Sequence, residues 1–248
     1  MASSVPDPFD AVRRALNRAA AAALDRAIAS VGEAASRAVS NVARTLAQDI
    51  EYVTAVLGRL GHGTANAVAD SFRGPFSRAL APAETSLVNA AFGSQPVLPG
   101  QVRIVAGPGN QPLAAAAFLN GNPAITIGNT IYVKPSVSRD RGGADWTTNP
   151  EGVELLLHEY THVVQYARLG FATFGKRYAE EFRANNNDAG KMYDYESRNL
   201  HYDQELIEGQ AAIVGDYARQ MALPPERRTP ALIQQLRAKL RGTGILGQ

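Results

Sequence analysis

The 248-residue sequence predicts an α+β fold, with a helical N-terminal segment, then a small sheet, then a mainly helical half. Three extended segments predict the sheet, because Gly, Pro and Asn turns separate QVRIVAG, LAAAAFL and AITIGNTIYVK. After Trp146 the pattern becomes helical. The helical signals at both ends of the chain and the short extended runs between them together favour the α+β class.

The N-terminal segment has the pattern of a long amphipathic helix. Residues 9 to about 60 contain no proline and only two glycines, Gly32 and Gly58, and larger apolar residues recur every three or four positions. The neighbourhood of Ser30 and Gly32 is where we expect a bend into a hairpin. Three roles fit such an amphipathic helix: packing against the rest of the chain or a sister subunit, docking another protein, and membrane activity. Nearly balanced charges disfavour the last role.

A glycine-containing stretch follows this segment. GRLGHGTANAVADSFRGPF (58–76) indicates a linker or short irregular helices, and we interpret His62 as a loop residue rather than a metal ligand. We therefore divide the chain into residues 1–75, an Ala/Arg-rich helical segment with its linker, and residues 76–248, a folded domain. In that domain APAETSLVNAAFG predicts a short helix that ends at Gly93.

The composition excludes several classes of function. The 25 basic and 23 acidic residues give a net charge of +2, so no electrostatic argument favours nucleic acid. There is no cysteine, which excludes disulfides, thiolate nucleophiles and Cys-ligated zinc. Any metal must therefore be held by His, Asp or Glu. The N-terminus lacks the pattern of a signal peptide, and no apolar run approaches the ~20 residues of a membrane span.

A helix with well-marked ends carries the most informative motif. In TTNPEGVELLLHEYTHVVQYARLG, Asn149 is a suitable N-cap, Pro150 suits the first helical position, and Gly170 marks the end. Acidic residues occupy its first turns, as expected from the helix dipole. We expect further helices at 172–184, 203–221 and 229–241. The basic residues of the last helix are interpreted as a solvated face.

Two histidines lie in the middle of this helix. His158 and His162 are one turn apart and project from one face, with Glu159 beside the first, which is the HExxH motif. The spacing suits Zn²⁺ coordination by the two imidazoles, with the glutamate placed to take a proton from water. The surrounding residues are apolar, and buried imidazoles without partners would be costly. Two core histidines with local hydrogen-bond partners are the alternative interpretation.

A catalytic zinc site needs a third protein ligand. The extended motif HExxHxxGxxH is absent, because Gln165 and Arg168 stand where it has Gly and His. HYDQELIEGQAAIVGDYARQM offers Glu205 and Glu208 on a predicted helix. We favour Glu208, since the small residues that follow it would let the two helices approach closely, and keep Glu205 and then His201 as alternatives.

Other polar residues are candidates for supporting roles. Asp216 is placed to orient a metal ligand or to lie on the surface. A donor to the developing oxyanion is also needed. Tyr193, Tyr195, His201 and Tyr202 are the candidates, and each taken singly is more typical of a structural residue; we select His201 and Tyr195 as weak catalytic candidates.

Four segments together resemble a known family. LAPAETSLVNAAFGSQPVLPGQVRI, AITIGNTIYVKP, LLLHEYTHVVQY and EGQAAIVGDY are similar to the zincin-type metallopeptidase domain associated with extracellular contractile injection systems, of the Vgr-related type. The resemblance runs from about residue 79 to 221. It implies a zincin-like fold with a small N-terminal sheet before the HExxH helix. Carried over residue by residue, it implicates His158, Glu159, His162 and Glu208.

The expected function is a zinc-dependent, gluzincin-like metallopeptidase with Glu159 as general base. It would act as a secreted or injected effector, or as a processing protease. An extended substrate peptide would pair with the strand TIYVK, as the resemblance implies. A non-catalytic structural or toxin-delivery component with a zinc-binding domain is the alternative.

Expected partners are a protein or peptide substrate, components of the injection system, and a second copy of the chain through the N-terminal helices. We expect no nucleic acid and no membrane span. The expected location is the cytoplasm of the producing bacterium, with export by a route that uses no signal peptide.

Overall fold

The computed structural model describes residues 46–93, 97–119, 121–186 and 188–248. The strands are β1 (Ser77–Ala79), β2 (Arg103–Ala106), β3 (Ala124–Ile127) and β4 (Thr130–Val133). The helices in the described residues are α1 (Leu46–Gly58), α2 (His62–Ser71), α3 (Pro82–Phe92), α4 (Pro112–Leu119), α5 (Pro135–Asp140), α6 (Pro150–Leu169), α7 (Phe171–Ala184), α8 (Ala189–Tyr193), α9 (Ile207–Ala222) and α10 (Pro230–Leu240). The expected bend near Ser30 and most of the predicted N-terminal amphipathic helix lie outside the described residues.

The four strands form one mixed sheet in the order β1-β2-β4-β3. Strand β2 runs parallel to β4, whereas β1 and β3 are antiparallel to their neighbours. Helices and this small sheet give the α+β composition that the sequence predicts. Gly128 in the β3–β4 turn has φ +59°, and a Cβ there would lie 2.3 Å from Asn66 Oδ1. Glycine is required here because it adopts a positive φ without strain and has no Cβ to collide with Asn66.

Two sequence-based predictions about the sheet are wrong. LAAAAFL forms helix α4 rather than a strand: Pro112 begins it, and alanine is the strongest helix former. The strand TIYVK is β4, which lies between β2 and β3, so it has no free edge for a peptide. Strand β3 takes the edge position because the hairpin folds it onto the outer side of β4.

The interpretation of His62 as a loop residue is also wrong. His62 is the first residue of α2, and its Nε2 lies 3.0 Å from Asn66 Nδ2. The Asn66 side-chain oxygen accepts a hydrogen bond from the backbone N–H of Asn129 in the β3–β4 turn. The glycine-flanked histidine therefore helps to brace the hairpin against α2.

Helix α6 lies between two hydrophobic clusters. One cluster packs α6 against α3, the sheet, α9 and α10, and includes Leu156 and Ile213. The other packs α1 and α2 against the sheet and α7, and includes Ile50 and Phe174. The division of the chain at residue 75 stays a prediction, but residues 46–58 do pack against the rest of the chain.

Close contact between α1 and α7 depends on small residues. A Cβ at Gly175 would lie 1.6 Å from Thr54 Oγ1, and one at Gly58 would lie 2.5 Å from the Cβ of Ala172. The two helices therefore approach more closely than larger side chains would permit. No helix among the described residues combines the length and apolarity that crossing a membrane requires.

Candidate metal centre

The ends of α6 are as the sequence predicts. The Asn149 side chain accepts a hydrogen bond from the Gly152 N–H at 2.7 Å, Pro150 occupies the first turn, and Gly170 ends the helix with φ +75°. A Cβ at Gly152 would lie 2.2 Å from Trp146 O, so the chain before the helix packs directly on its first turn. These local features place the HExxH residues in the middle of a buried helix.

The three predicted ligands converge from two helices. His158 and His162 lie on α6, and Glu208 lies in the first turn of α9. Glu208 Oε2 is 3.4 Å from His158 Nε2 and 3.3 Å from His162 Nε2. A Cβ at Gly215 would lie 3.3 Å from the Cβ of His158, so Gly215 allows these helices to approach closely, whereas Gly209, directly after Glu208, faces Glu205 and Arg198 instead.

The spacing of the donor atoms fits a metal ion. Bonds of about 2.0–2.1 Å at tetrahedral angles separate two ligand atoms by about 3.3–3.4 Å, and the observed distances from Glu208 Oε2 are 3.4 and 3.3 Å. This buried oxygen makes no hydrogen bond within the described residues. Two imidazoles and one carboxylate are a donor set used by catalytic zinc sites. The cluster could therefore bind a metal ion.

Gln165 fixes the orientation of one ligand. Its Oε1 lies 2.7 Å from His162 Nδ1, and its Nε2 donates to Ile207 O at 3.1 Å and to Gln210 Oε1 at 2.8 Å. Because Ile207 O can only accept, the Gln165 amide must present its oxygen to His162. His162 therefore donates through Nδ1 and keeps Nε2 free for a metal. The sequence did not predict this role, although the i,i+3 spacing from His162 is a signal for it.

The cluster has a strong electrostatic preference for a bound cation. Burial is the largest single effect on His162 and lowers its pKa, but Glu208, Glu159 and Gln165 together outweigh burial and raise that pKa to about 9. Burial raises the pKa of Glu208, yet the two histidines hold it well below its usual range. The buried carboxylate is thus ionised, and either a proton or a metal ion on the imidazoles balances its charge.

Glu159 lies beside the three ligands and is held by the edge of the sheet. It is only 4% exposed. Its Oε2 accepts a hydrogen bond from Thr126 Oγ1 at 2.7 Å, and Thr126 lies on β3. The bond leaves the other carboxylate oxygen available for a different partner. Thr126 is a second residue that the sequence analysis missed; its link to Glu159 spans 33 residues.

Glu205, the alternative third ligand, lies elsewhere. Its side chain is fully buried, and its Oε2 accepts a hydrogen bond from Arg198 Nε at 2.9 Å. Lys239 Nζ lies 3.6 Å from its other oxygen. The structure thus separates Glu205 from the histidines and gives it charged partners of its own. It also corrects the prediction of a wholly solvated basic face on α10, because Lys239 is 5% exposed.

The weak catalytic candidates are engaged in other contacts. His201 Nε2 lies 2.9 Å from Arg241 O, near the C-terminal end of the described chain. Tyr195 donates its hydroxyl hydrogen to Asp216 Oδ2 at 2.7 Å. Tyr202 is buried and begins a 3₁₀ turn. His201 does not belong to the cluster of metal-ligand donors found in the described residues.

Among the four donor candidates, Tyr193 is the one whose ring lies against a candidate metal ligand, His158. Its ring stacks on His158 with centroids 5.7 Å apart and an interplanar angle of 14°. The protein atoms packed around the phenol, followed by the Glu208 charge, raise the pKa of Tyr193 well above its usual value, although part of the side chain is exposed. The phenol is therefore a proton donor over the ordinary pH range. The residue is 42% exposed and borders the cavities on both sides of the ligands.

Two cavities meet at the site. A narrow one of about 40 Å³ touches all three ligands and extends to Ile50 and Phe174. A wider one of about 400 Å³ shares His158, Glu159 and Tyr193 and extends to Glu154 and Asp216. The narrow cavity is large enough to hold water. Ile50 comes from α1, outside the segments that carry the sequence resemblance.

One protein-family model matches part of this chain. The eCIS core domain matches residues 81–170. The match supports an association with extracellular contractile injection systems. It spans β2, β3, β4 and α6, and so includes His158, Glu159 and His162, whereas Glu208 lies beyond it. Neither a curated protein nor a solved structure matches the chain.

Proposed function

We propose that the chain is a zinc-dependent metallopeptidase of zincin-like fold that works with a contractile injection system. The observation that carries the proposal is the convergence of Glu208 with His158 and His162 at tetrahedral spacing, beside a buried Glu159. A site that only held a structural metal would not need the adjacent glutamate. The family match at residues 81–170 supports the association with the injection system.

His158, His162 and Glu208 would hold the zinc ion. When bound, zinc polarises a carbonyl group and lowers the pKa of water toward about 7. Glu159 is the general base: it accepts a proton from the attacking water and passes it to the leaving amine. Thr126 holds one oxygen of Glu159 at 2.7 Å, so the carboxylate presents its other oxygen to the reacting groups.

Tyr193 is the proposed donor to the developing oxyanion, in place of His201 and Tyr195. It stacks on His158, lines both cavities and stays protonated because burial and nearby carboxylates raise its pKa. A hydroxyl donor next to the metal stabilises negative charge that appears only in the transition state. Tyr195 keeps its hydrogen bond to Asp216 and cannot donate to both.

Strand β3 is the proposed binding edge for an extended peptide. Ile127 and Thr130 close the hairpin, and Lys134 N–H donates to Pro123 O at 2.9 Å. Since bonded and non-bonded pairs alternate in an antiparallel ladder, the backbone groups of Ala124 and Thr126 point away from β4. These groups could pair with a substrate strand that passes Glu159.

A digest of a random peptide library tests the proposal. The wild-type chain and Glu159→Gln would be loaded with zinc, and Glu180→Gln would serve as a control, since Glu180 is an exposed residue of α7. We expect all three to bind zinc, and only wild type and Glu180→Gln to cleave peptides. Cleavage by Glu159→Gln at the wild-type rate would exclude the general-base role. Zinc binding without cleavage by wild type would favour a structural or toxin-delivery component.

A further inference from the structure

Tyr193 is the last residue of α8, and the segment that follows it, up to α9, is held by a buried group of charged residues. Arg198, Glu205 and Lys239 form this group, which we call the 198–205–239 cluster. The Glu205 side chain is fully buried, that of Lys239 is 5% exposed, and that of Arg198 is 21% exposed. Arg198 and Glu205 both lie in this segment, Glu205 just before α9, and Lys239 lies on α10.

Arg198 fixes the end of α8. Its Nη1 donates to Lys191 O and its Nη2 donates to Met192 O at 2.9 Å. These are the carbonyls directly before Tyr193, and a guanidinium bound to the last carbonyls of a helix fixes where that helix ends. Its Nε donates at the same time to Glu205 Oε2 at 2.9 Å. One planar group thus links the residues before Tyr193 to the residues before α9.

Lys239 joins α10 to the same segment. Its Nζ donates to Arg198 O at 3.0 Å and to Leu200 O at 2.9 Å, and lies 5.7 Å from the centre of the Tyr195 ring. It also lies 3.6 Å from the Glu205 oxygen, which makes no hydrogen bond within the described residues. A single amine from α10 therefore binds two backbone carbonyls in the middle of the segment that follows Tyr193 and lies close to the Glu205 carboxylate.

The cluster also touches the helix that carries the third ligand. A Cβ at Gly209 would lie 2.8 Å from Glu205 Oε2 and 2.9 Å from Arg198 Nη2. Gly209 directly follows Glu208 in the first turn of α9. Arg198 thus contacts both the carbonyls before Tyr193 and the chain beside Glu208, Glu205 lies against the same glycine, and Lys239 binds the segment that carries Arg198. Buried ion pairs add little net stability, but their directional bonds can select one geometry.

We propose that the 198–205–239 cluster is a positioning device through which α10 holds Tyr193 against His158 and the candidate metal centre. The proposal rests on the proposed function for its effect on rate. Arg198, Glu205 and Lys239 are positioning residues, because the contacts described above join them to one another and to backbone carbonyls of residues 191–200 rather than to the donor atoms of His158, His162 or Glu208. Helix α10 lies beyond residues 81–170, so the site would depend on a part of the chain outside the family match.

A double-mutant cycle tests this role. Lys239→Met, Tyr193→Phe and the double variant would be compared for zinc content, kcat and KM on one peptide, with Lys176→Met as control because Lys176 is an exposed residue of α7. We expect Lys239→Met to keep its zinc and to lose about tenfold in kcat, since misplacing a group that acts in the transition state lowers kcat rather than raising KM. The control should match wild type.

The decisive comparison is between the double variant and Tyr193→Phe. If Lys239 acts through Tyr193, the double variant should be no slower than Tyr193→Phe alone. Multiplicative losses, or a raised KM with kcat unchanged, would overturn the proposal. If Lys239→Met fails to fold, Arg198→Lys replaces it in the cycle, because that variant keeps the charge but lacks the planar fork.

Hydrogen exchange tests the positioning without any peptidase activity. We expect the amides of residues 189–200 to exchange faster in Lys239→Met than in wild type, while those of α6 keep their protection. Unchanged exchange in residues 189–200 would contradict the proposal even if the chain cleaves peptides. If wild type cleaves no peptide, the expected exchange pattern would still support the anchoring, so the two failures can be told apart.

Discussion

Gln165 Oε1 and His162 Nδ1 lie 2.7 Å apart, on the same face of the helix that carries the HExxH motif. The amide of Gln165 is itself held by Ile207 O and Gln210, both on the helix that supplies Glu208. One side chain thus orients a histidine and connects the two helices of the candidate metal centre.

The first prediction concerns this amide. Gln165→Met keeps the volume of the side chain but removes the acceptor, so we expect zinc affinity to fall about 10- to 100-fold. Competition with a chromogenic chelator measures the affinity. Gln234→Met, an exposed position on α10, is the matched control and should bind zinc as wild type does. Equal affinity in Gln165→Met would show that Gln165 does not support His162.

The second prediction concerns the contact between β3 and Glu159. Thr126→Val removes the hydroxyl that donates to Glu159 Oε2 but keeps the branched shape. We expect about one zinc per chain and a kcat lowered by about tenfold, because the general base loses the bond that orients it. Steady-state kinetics on one peptide provides the test, with exposed Thr173→Val as control. A change in KM alone would argue against an orienting role.

The third prediction concerns pH. A metal must displace the proton that the metal-free His162 holds, and the pKa of His162 is raised to about 9, chiefly by Glu208 against the opposing effect of burial. Raising the pH toward 9 removes this proton and frees Nε2. The apparent zinc affinity should therefore rise by about tenfold per pH unit between pH 7 and pH 9. A zinc affinity that stays constant across that pH range in the chelator competition would contradict the release of one proton from His162 on zinc binding.

The fourth prediction concerns the packing of α1 on α7. A methyl group at Gly175 would collide with Thr54, so Gly175→Ala should lower the free energy of unfolding by about 1–3 kcal/mol. Urea denaturation measures the change. Gly63→Ala is the control, since a Cβ there meets nothing within 4 Å, and it should be neutral or stabilising. Equal stability of the two variants would mean that α1 does not pack closely on α7.

Local signals account for the parts of this protein that the sequence predicts well. Asn149, Pro150 and Gly170 act within one helical turn of the ends of α6, so they can be recognised from neighbouring residues alone. His158 and His162 share a face by helical geometry. Glu208 was preferred to Glu205 because small residues follow it, and the structure brings Glu208 to the histidines.

Long-range packing accounts for what the sequence did not predict. Helix α4 is an exception, because Pro112 and four consecutive alanines favour a helix locally, and alanine is depleted in strands. Strand β3 is the edge because β2 pairs with β4 across a crossover, which strand patterns do not encode. Tyr193 and Tyr195 are two residues apart, yet of the two it is Tyr193 that stacks on His158, and Arg198, five residues further along the chain, binds the carbonyl immediately before Tyr193.

Elemental analysis of the purified chain, of Glu208→Gln and of Glu205→Gln tests the central claim most directly. If His158, His162 and Glu208 hold the metal, wild type and Glu205→Gln should each carry about one zinc ion per chain, whereas Glu208→Gln should retain far less after dialysis against a weak chelator. Wild type that takes up no metal, or zinc bound equally well by Glu208→Gln, would contradict the account.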